Sequence, residues 1–384
     1  MRPEQTYNDP TLMSDTALAP THLPPWLANQ RNALLAQRGH AWLLAGPSGL
    51  GQYALALSLV QAWLCEAQPE PGAISGSSSD GEMFADSVAP ASDAPASNAD
   101  NFQPACGVCA SCQMLASRAH PDVAVLMPET LMLELGWPLP EKAQKEIDDK
   151  KRKPSKEIRV DAMRDVIEFT QLTSGRGRGL AVLVYPAERM NHITANALLK
   201  TLEEPNGKLK FVLATEAAHQ LLPTIRSRCQ TFALHWPQAH DTTEWLQAQA
   251  PEKTSPALLE AALLCAGGRP FDALAALQDG TAAVWARLPH AVANGHTAAF
   301  ADLSVQASLG VMQKLCHDLW ALKLGATPRF FAATDLPKPP PARALSAWSE
   351  QLKKLALSID HTWKAELLLE DLLSQARLAL VARS

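Results

Sequence analysis

At 384 residues, 47% of them hydrophobic, the chain is long enough for two or three domains built on real cores. A net charge of −5 and a pI near 6.1 exclude a general basic field that would draw the whole molecule onto nucleic acid, and leave only local contacts open. No apolar run reaches the ~18 residues of a spanning helix, and no charged start followed by an apolar core marks an export signal. With an odd cysteine count of seven, this points to a soluble protein of the reducing cytoplasm.

Residues 1–23 mix Pro, Thr, Asp and Asn without periodicity and are expected to be a loose tail. A short helix is predicted from Pro24-Pro25-Trp26-Leu27 to about Arg38, then a buried strand at Ala41-Trp42-Leu43-Leu44-Ala45. Gly46-Pro47-Ser48-Gly49-Leu50-Gly51-Gln52-Tyr53 follows, and an apolar helix runs from Ala54 to Leu64. Strand, glycine loop and helix are the setting of a phosphate-binding loop, whose pattern is Gly, four residues, Gly, then Lys and Ser or Thr. Gly46 and Gly51 have the right spacing, but Gln52 replaces the lysine and Tyr53 the hydroxyl. The lysine supplies charge to the β and γ phosphates and the hydroxyl holds Mg²⁺, so the loop is expected to keep its shape without turning nucleotide over. The bland alternative is an ordinary strand-to-helix turn carrying Gly49.

Residues 66–104 are Ser-, Ala- and Asp-rich and read as a disordered insertion, either a spacer or a regulatory tether. Cys106-Gly107-Val108-Cys109-Ala110-Ser111-Cys112 then gives two C-x-x-C gaps, and Cys65 at the end of the preceding helix can complete a four-thiolate site. That spacing suits structural Zn²⁺. An iron–sulfur cluster is the rival, although the fourth cysteine of the bacterial ferredoxin run, followed by Pro, is missing; buried free thiols are the remaining alternative. His120 precedes a second strand, Val123 to Met127, and is read as structural. Residues 128–156, with Lys150-Lys151-Arg152-Lys153 beside Glu146, Asp148 and Asp149, read as a second insertion. Such mixed charge is expected to be a solvated loop, with phosphate contact as the alternative.

A helix is predicted over Ile158–Thr173, a turn at Gly175-Arg176-Gly177-Arg178-Gly179, and a third strand over Leu180–Tyr185. An ATPase strand in this position ends in acids that hold Mg²⁺. Here Tyr185-Pro186-Ala187 follows, and Glu188 comes too late. Thr194 is expected to cap a helix over Ala195–Glu204. Strands follow at Lys210–Thr215 and Thr231–Leu234, separated by Leu222-Pro223-Thr224-Ile225-Arg226-Ser227-Arg228-Cys229. Apolar strands alternating with helices predict a parallel sheet covered on both faces. From Trp236 the strand signals stop. Helices are predicted over 240–280 and again within 284–384, at Leu309–Leu324, Leu345–Ile359 and Ala365–Val381, with a Pro-rich link at Thr327–Pro341.

These motifs resemble the delta-prime subunit family of the bacterial DNA polymerase III clamp loader. The resemblance rests on Asn196-Ala197-Leu198-Leu199-Lys200-Thr201-Leu202-Glu203-Glu204-Pro205, on Ser227-Arg228-Cys229 and on the four cysteines, and it covers roughly residues 24–384. It implies an α/β fold: an AAA+ P-loop-type parallel-sheet core over 24–236 with an inserted zinc module (65–112), a helical lid (237–283) and an all-α C-terminal collar (284–384) that serves oligomerisation. It implies a non-catalytic stator in a pentamer that loads the sliding clamp onto primed DNA within the polymerase holoenzyme. Its partners would be the gamma/tau motor subunits and the delta subunit. Arg228, framed by Ser227 and Cys229, would reach the ATP site of a neighbouring motor subunit. Gln52, Tyr53, Tyr185, Pro186 and Phe271 depart from the motor pattern, Phe271 standing where the motor lid carries a nucleotide-sensing arginine. The rival readings are an active AAA+ ATPase with an unorthodox site and a zinc-dependent nucleic-acid-binding module.

Overall fold

The computed structural model describes residues 23–68, 102–251, 254–358 and 364–382. All but the last residue of the loose tail expected over 1–23, and most of the insertion expected over 66–104, lie outside the described residues. The chain divides into two units: residues 51–235 with the described part of 16–47, and residues 236–384 with 48–50.

The first unit is α/β. Its elements are α1 (Pro25–Leu35), β1 (Ala41–Ala45), α2 (Gln52–Leu64), α3 (Ala110–Ala116), β2 (Val123–Leu126), α4 (Glu129–Glu134), α5 (Glu141–Asp148), α6 (Val160–Phe169), β3 (Leu180–Val184), α7 (His192–Glu203), β4 (Leu209–Thr215), α8 (Pro223–Arg226) and β5 (Gln230–Ala233). The sheet runs β2-β3-β4-β1-β5, and every pairing is parallel, as the continuous apolar runs predict. Leu43, Val182, Leu183, Phe211 and Val212 have no exposure, so the central strands are buried on both faces. Helix α2 is buried along its whole length, consistent with a sequence that is apolar on every face. It starts at Gly51, whose φ of +92° would strain any side chain.

Three expectations change. The cap of α7 is Asn191, whose side chain accepts the Thr194 N–H at 2.9 Å. Thr194 is buried one turn in, with its hydroxyl on the Ile158 carbonyl at 3.3 Å. Residues 66–68 and 102–104 are part of the ordered unit: the Gln68 amide pairs with the Gln103 backbone in both directions, at 2.5 and 2.8 Å. The charged stretch 128–156 is no open loop but carries α4 and α5. Arg152 pins it, meeting Glu129 at 2.5 Å and Glu146 at 2.7 Å. Those bonds offset Glu129's burial and hold both carboxyls below the usual range. Arg152 is therefore committed to protein carboxylates and is not offered to phosphate.

The second unit is all helical: α9 (Ala239–Gln249), α10 (Pro256–Cys265), α11 (Pro270–Gln278), α12 (Thr281–Trp285), α13 (Leu288–Asn294), α14 (Val305–Lys323), α15 (Ala342–Ser358) and α16 (Ala365–Val381). Leu309, Met312, Leu315 and Leu319 form the buried stripe of α14. Asp318, fully buried on the same helix, accepts the N–H groups of Arg329, Phe330 and Phe331 at 2.7–2.9 Å and so anchors the Pro-rich link. Phe271 is buried against Trp245, with ring centroids 5.1 Å apart. No described helix is long and apolar enough to cross a membrane.

Candidate functional site

The glycine loop joins β1 to α2, where a parallel sheet presents its carboxyl ends. Gly49 and Gly51 both have positive φ, so the loop takes the curled course the pattern predicts. Its chemistry is inverted. The Gln52 side chain is fully buried, and its Nε2 donates to the Gly46 carbonyl at 2.7 Å and the Pro47 carbonyl at 2.6 Å. The loop is thus held by an internal neutral amide at the position where a lysine would carry charge to a phosphate. Gln52 Oε1, an acceptor, has no partner among the described residues.

Tyr53 lies beneath this loop, 2% exposed, stacked on Tyr185 with centroids 5.4 Å apart. Its hydroxyl accepts from Trp137 Nε1 at 2.8 Å. Tyr185, at the end of β3, donates to Glu216 at 3.1 Å. Glu188 is committed as well, accepting from the Thr215 hydroxyl at 2.6 Å and the Glu216 N–H at 3.1 Å. The positions that would hold a metal ion and polarise water are therefore two packed phenol rings, with the nearby acid bonded to the end of β4. Trp137 is the member the sequence does not announce. It comes from the charged insertion, 84 residues from Tyr53, and its only signal is a lone large aromatic in a polar stretch.

The four cysteines come together. The sulfurs of Cys65, Cys106, Cys109 and Cys112 lie within 4.8 Å of one another. Backbone N–H groups point at three of them: Cys106 N to Cys65 Sγ at 3.4 Å, Cys109 N to Cys106 Sγ at 3.3 Å and Cys112 N to Cys109 Sγ at 3.5 Å. Backbone N–H groups lower the Cys106 pKa to about 6, whereas burial pushes Cys65 and Cys112 up. A four-sulfur donor set at this separation fits a soft tetrahedral metal ion and leaves no position open for catalysis.

The module is clamped by the two arginines of the 175–179 turn. Arg176 pairs with Glu66, its Nε at 2.8 Å, and also reaches Ser111 at 3.1 Å. Arg178 donates to the Glu66 and Gln68 carbonyls at 2.7 and 3.0 Å. Asp122 holds the turn by accepting from Ser174, Gly175 N and Arg176 N at 2.7–3.0 Å.

Arg228 stands apart from the loop for a topological reason. Gln230, the first residue of β5, pairs with Trp42 near the start of β1, while Ala233 pairs with Ala45 just before the loop. In a parallel sheet this sets Arg228 at the amino ends of the strands and the glycine loop at the carboxyl ends, separated by a strand of roughly 13 Å. Arg228 donates through Nε to Glu203 at 2.5 Å and through Nη1 to the Thr224 carbonyl at 2.9 Å. Its side chain is 32% exposed and that of Glu203 47%. Ser227 ends α8 with its hydroxyl on the Thr224 carbonyl at 3.1 Å. Burial raises the Cys229 thiol to about 12, which makes it a packing residue rather than a nucleophile.

Residues 75–238 match the family model described as DNA polymerase III, delta subunit. The chain is 35% identical to the DNA polymerase III subunit delta' of Pseudomonas aeruginosa over 62% of its own length and 56% of that protein. It is 31% identical to those of Haemophilus influenzae, over 63% and 56%, and Escherichia coli, over 66% and 60%. The chain thus spans little more than half the length of these curated relatives. Among solved structures, a gamma subunit-related protein of Thermotoga maritima aligns at a TM-score of 0.40 and 15% identity, covering 92% of this chain and 99% of that one. With 31–35% identity over about 60% of its length, the chain is a relative of the delta-prime subunits of DNA polymerase III.

Proposed function

We propose that this chain is a non-catalytic subunit of a DNA polymerase III clamp loader, acting as stator beside subunits that bind and hydrolyse ATP. The observation that carries the reading is the self-filled glycine loop. Gln52 satisfies the loop's own carbonyls, and Tyr53 and Tyr185 stack beside it. Phosphoryl transfer depends on positioned positive charge and metal, and this site offers no lysine, while its Tyr53 hydroxyl is bonded to Trp137 and its acid Glu188 to the end of β4.

In the same reading the first unit is an AAA+ core and residues 237–283 and 284–384 are lid and collar. Cys65, Cys106, Cys109 and Cys112 hold one structural Zn²⁺. Arg228 serves in trans on a neighbouring motor subunit, and its position at the far end of the sheet from its own loop supports this. The partners are gamma/tau and delta subunits, and through them the sliding clamp and primed DNA. Equilibrium dialysis of the isolated chain with ATP and Mg²⁺, together with a turnover assay, tests the silent site. The expected result is neither binding nor turnover above a heat-killed control. Turnover abolished by Gly51→Val would overturn the reading in favour of an active ATPase.

A further inference from the structure

The four sulfurs reach one point from two separate stretches of chain. Cys65 closes α2, whereas Cys106, Cys109 and Cys112 belong to the segment that leads into α3. Sulfurs bonded to one tetrahedral ion at about 2.3 Å sit about 3.8 Å apart. Here all four lie within 4.8 Å of one another, and those of Cys65 and Cys109, one from each stretch, are 3.9 Å apart. The frame thus holds the sulfurs to within about 1 Å of coordination spacing.

Arg176 joins the two stretches. Its Nε donates to Glu66 Oε1 at 2.8 Å and to the Ser111 hydroxyl at 3.1 Å, and Ser111 donates in turn to Glu66 Oε1 at 3.1 Å. Glu66 follows Cys65 and Ser111 precedes Cys112, so one guanidinium bonds to the neighbour of a ligand on each side. Cys65, Ser111 and Cys112 are all buried. Arg178 donates to the Glu66 and Gln68 carbonyls at 2.7 and 3.0 Å, which fixes the chain just beyond Cys65. The turn that carries both arginines is itself fixed. Asp122, 2% exposed, accepts from the Ser174 hydroxyl, Gly175 N and Arg176 N at 2.7–3.0 Å, while its own carbonyl takes the Ala181 N–H at 3.0 Å. Gly179 has a φ of +107°, and a Cβ there would fall 2.3 Å from the Lys208 carbonyl oxygen, so a side chain is excluded where the turn enters β3. All of this lies at the amino ends of β2 and β3.

We propose, on the reading that the four cysteines hold Zn²⁺, that residues 174–179 are the outer shell of that site, with Arg176 and Arg178 as positioning residues for Cys65 and Cys112. Metal affinity is then set in part by an arginine 65 residues beyond Ser111. Holding ligands at coordination spacing before the ion arrives removes part of the ordering cost of binding. Linkage makes the effect reciprocal: if the closed clamp raises metal affinity, the bound metal steadies the turn by the same factor. A clamp with a merely structural role would change stability with and without metal alike and leave affinity untouched.

The test uses the full chain, stripped of metal under anaerobic reducing conditions and titrated with Co²⁺ against a chromophoric chelator. Wild type should show the thiolate-to-cobalt and d–d bands of a tetrahedral four-sulfur site. Arg176→Met should reach the same bands at saturation but bind at least about tenfold more weakly, the range of outer-shell losses at other metal sites. Arg176→Lys should recover little of that loss, because a single ammonium does not reproduce the guanidinium's bonds. Arg164→Met, a change to an exposed arginine on α6, should bind as wild type. Metal should slow amide exchange over 174–179 in wild type and not in Arg176→Met. Where a stripped chain precipitates, zinc transfer from the loaded chain to the chelator gives the same ratio, and should Arg176→Met fail to fold, Ser111→Ala carries the test with an expected loss of about threefold or more. Wild type without the four-sulfur spectrum would overturn the zinc reading and this proposal with it. A wild-type spectrum with unchanged affinity in the variants, or turn exchange indifferent to metal in wild type, would overturn the proposal and leave the zinc reading standing.

Discussion

The contact between Tyr53 and Trp137 ties the glycine loop to an insertion far away in sequence, and its energetic coupling can be measured. Tyr53→Phe removes the acceptor and leaves the Trp137 N–H, on a side chain 6% exposed, without that partner. Abandoning a buried donor costs about 1–3 kcal/mol. Trp137→Phe removes the donor together with part of a buried ring and should cost about 2–4 kcal/mol. In the double variant the bond is lost only once, so the combined loss should fall short of the sum by about 0.5–1.5 kcal/mol. The assay is urea titration followed by hydrogen exchange of β1 and β3 amides, because a chain of two units need not unfold in one step. Neither single variant should gain ATP binding, since Gln52 and the remaining aromatic rings still occupy the site. Additivity within about 0.3 kcal/mol would refute the claim that the insertion helps to close the nucleotide position.

Arg152→Met should leave Glu129, whose side chain is 9% exposed, without its cation and destabilise residues 128–156 by roughly 1–3 kcal/mol, read as faster exchange there. Purified anaerobically, the chain should carry one zinc and no labile sulfide; Cys109→Ser should release the metal and leave the β1–β5 amides protected, whereas iron or no metal contradicts the site. Burial lowers the His120 pKa, so the folded state favours the neutral ring. Its contribution is then present above the unfolded value of about 6.5 and is lost as pH falls through that value toward the folded one. His120→Gln should flatten the stability profile across that window, and an unchanged slope would count against it.

The sheet was legible because its strands are unbroken apolar runs between turn signals, and a parallel sheet buries both faces. The curled glycine loop is legible because its glycine spacing survives, and Gln52, Tyr53 and Tyr185 stand out because they are residues of a different chemistry at its positions. What closes the loop was not legible. Trp137 reaches Tyr53 across 84 residues, and no local pattern encodes that distance. The helices of 128–156 were hidden because they are short, begin after Pro128 and Pro140, and are stabilised by Arg152 reaching back 23 residues to Glu129. The Gly-Arg-Gly-Arg-Gly sequence shows only a turn for the same reason: its arginines act on Glu66, more than 100 residues earlier. The α7 cap is ambiguous locally, since Asn191 and Thr194 are both capping residues, and it is the burial of Thr194 against the Ile158 carbonyl, 36 residues away, that sets it inside the helix.

The most direct test of the stator reading reconstitutes the chain with gamma/tau and delta subunits and compares wild type with Arg228→Ala, measuring assembly by gel filtration and ATP turnover stimulated by sliding clamp and primed DNA. An arginine finger is worth about 10³–10⁵ in rate at the site it serves, and the bulk effect is smaller where other sites keep theirs. The account predicts an intact assembly with reduced stimulated turnover, poorly rescued by Arg228→Lys because a point charge cannot reproduce the guanidinium fork. An intact assembly with wild-type turnover, or no assembly with these subunits at all, would contradict it.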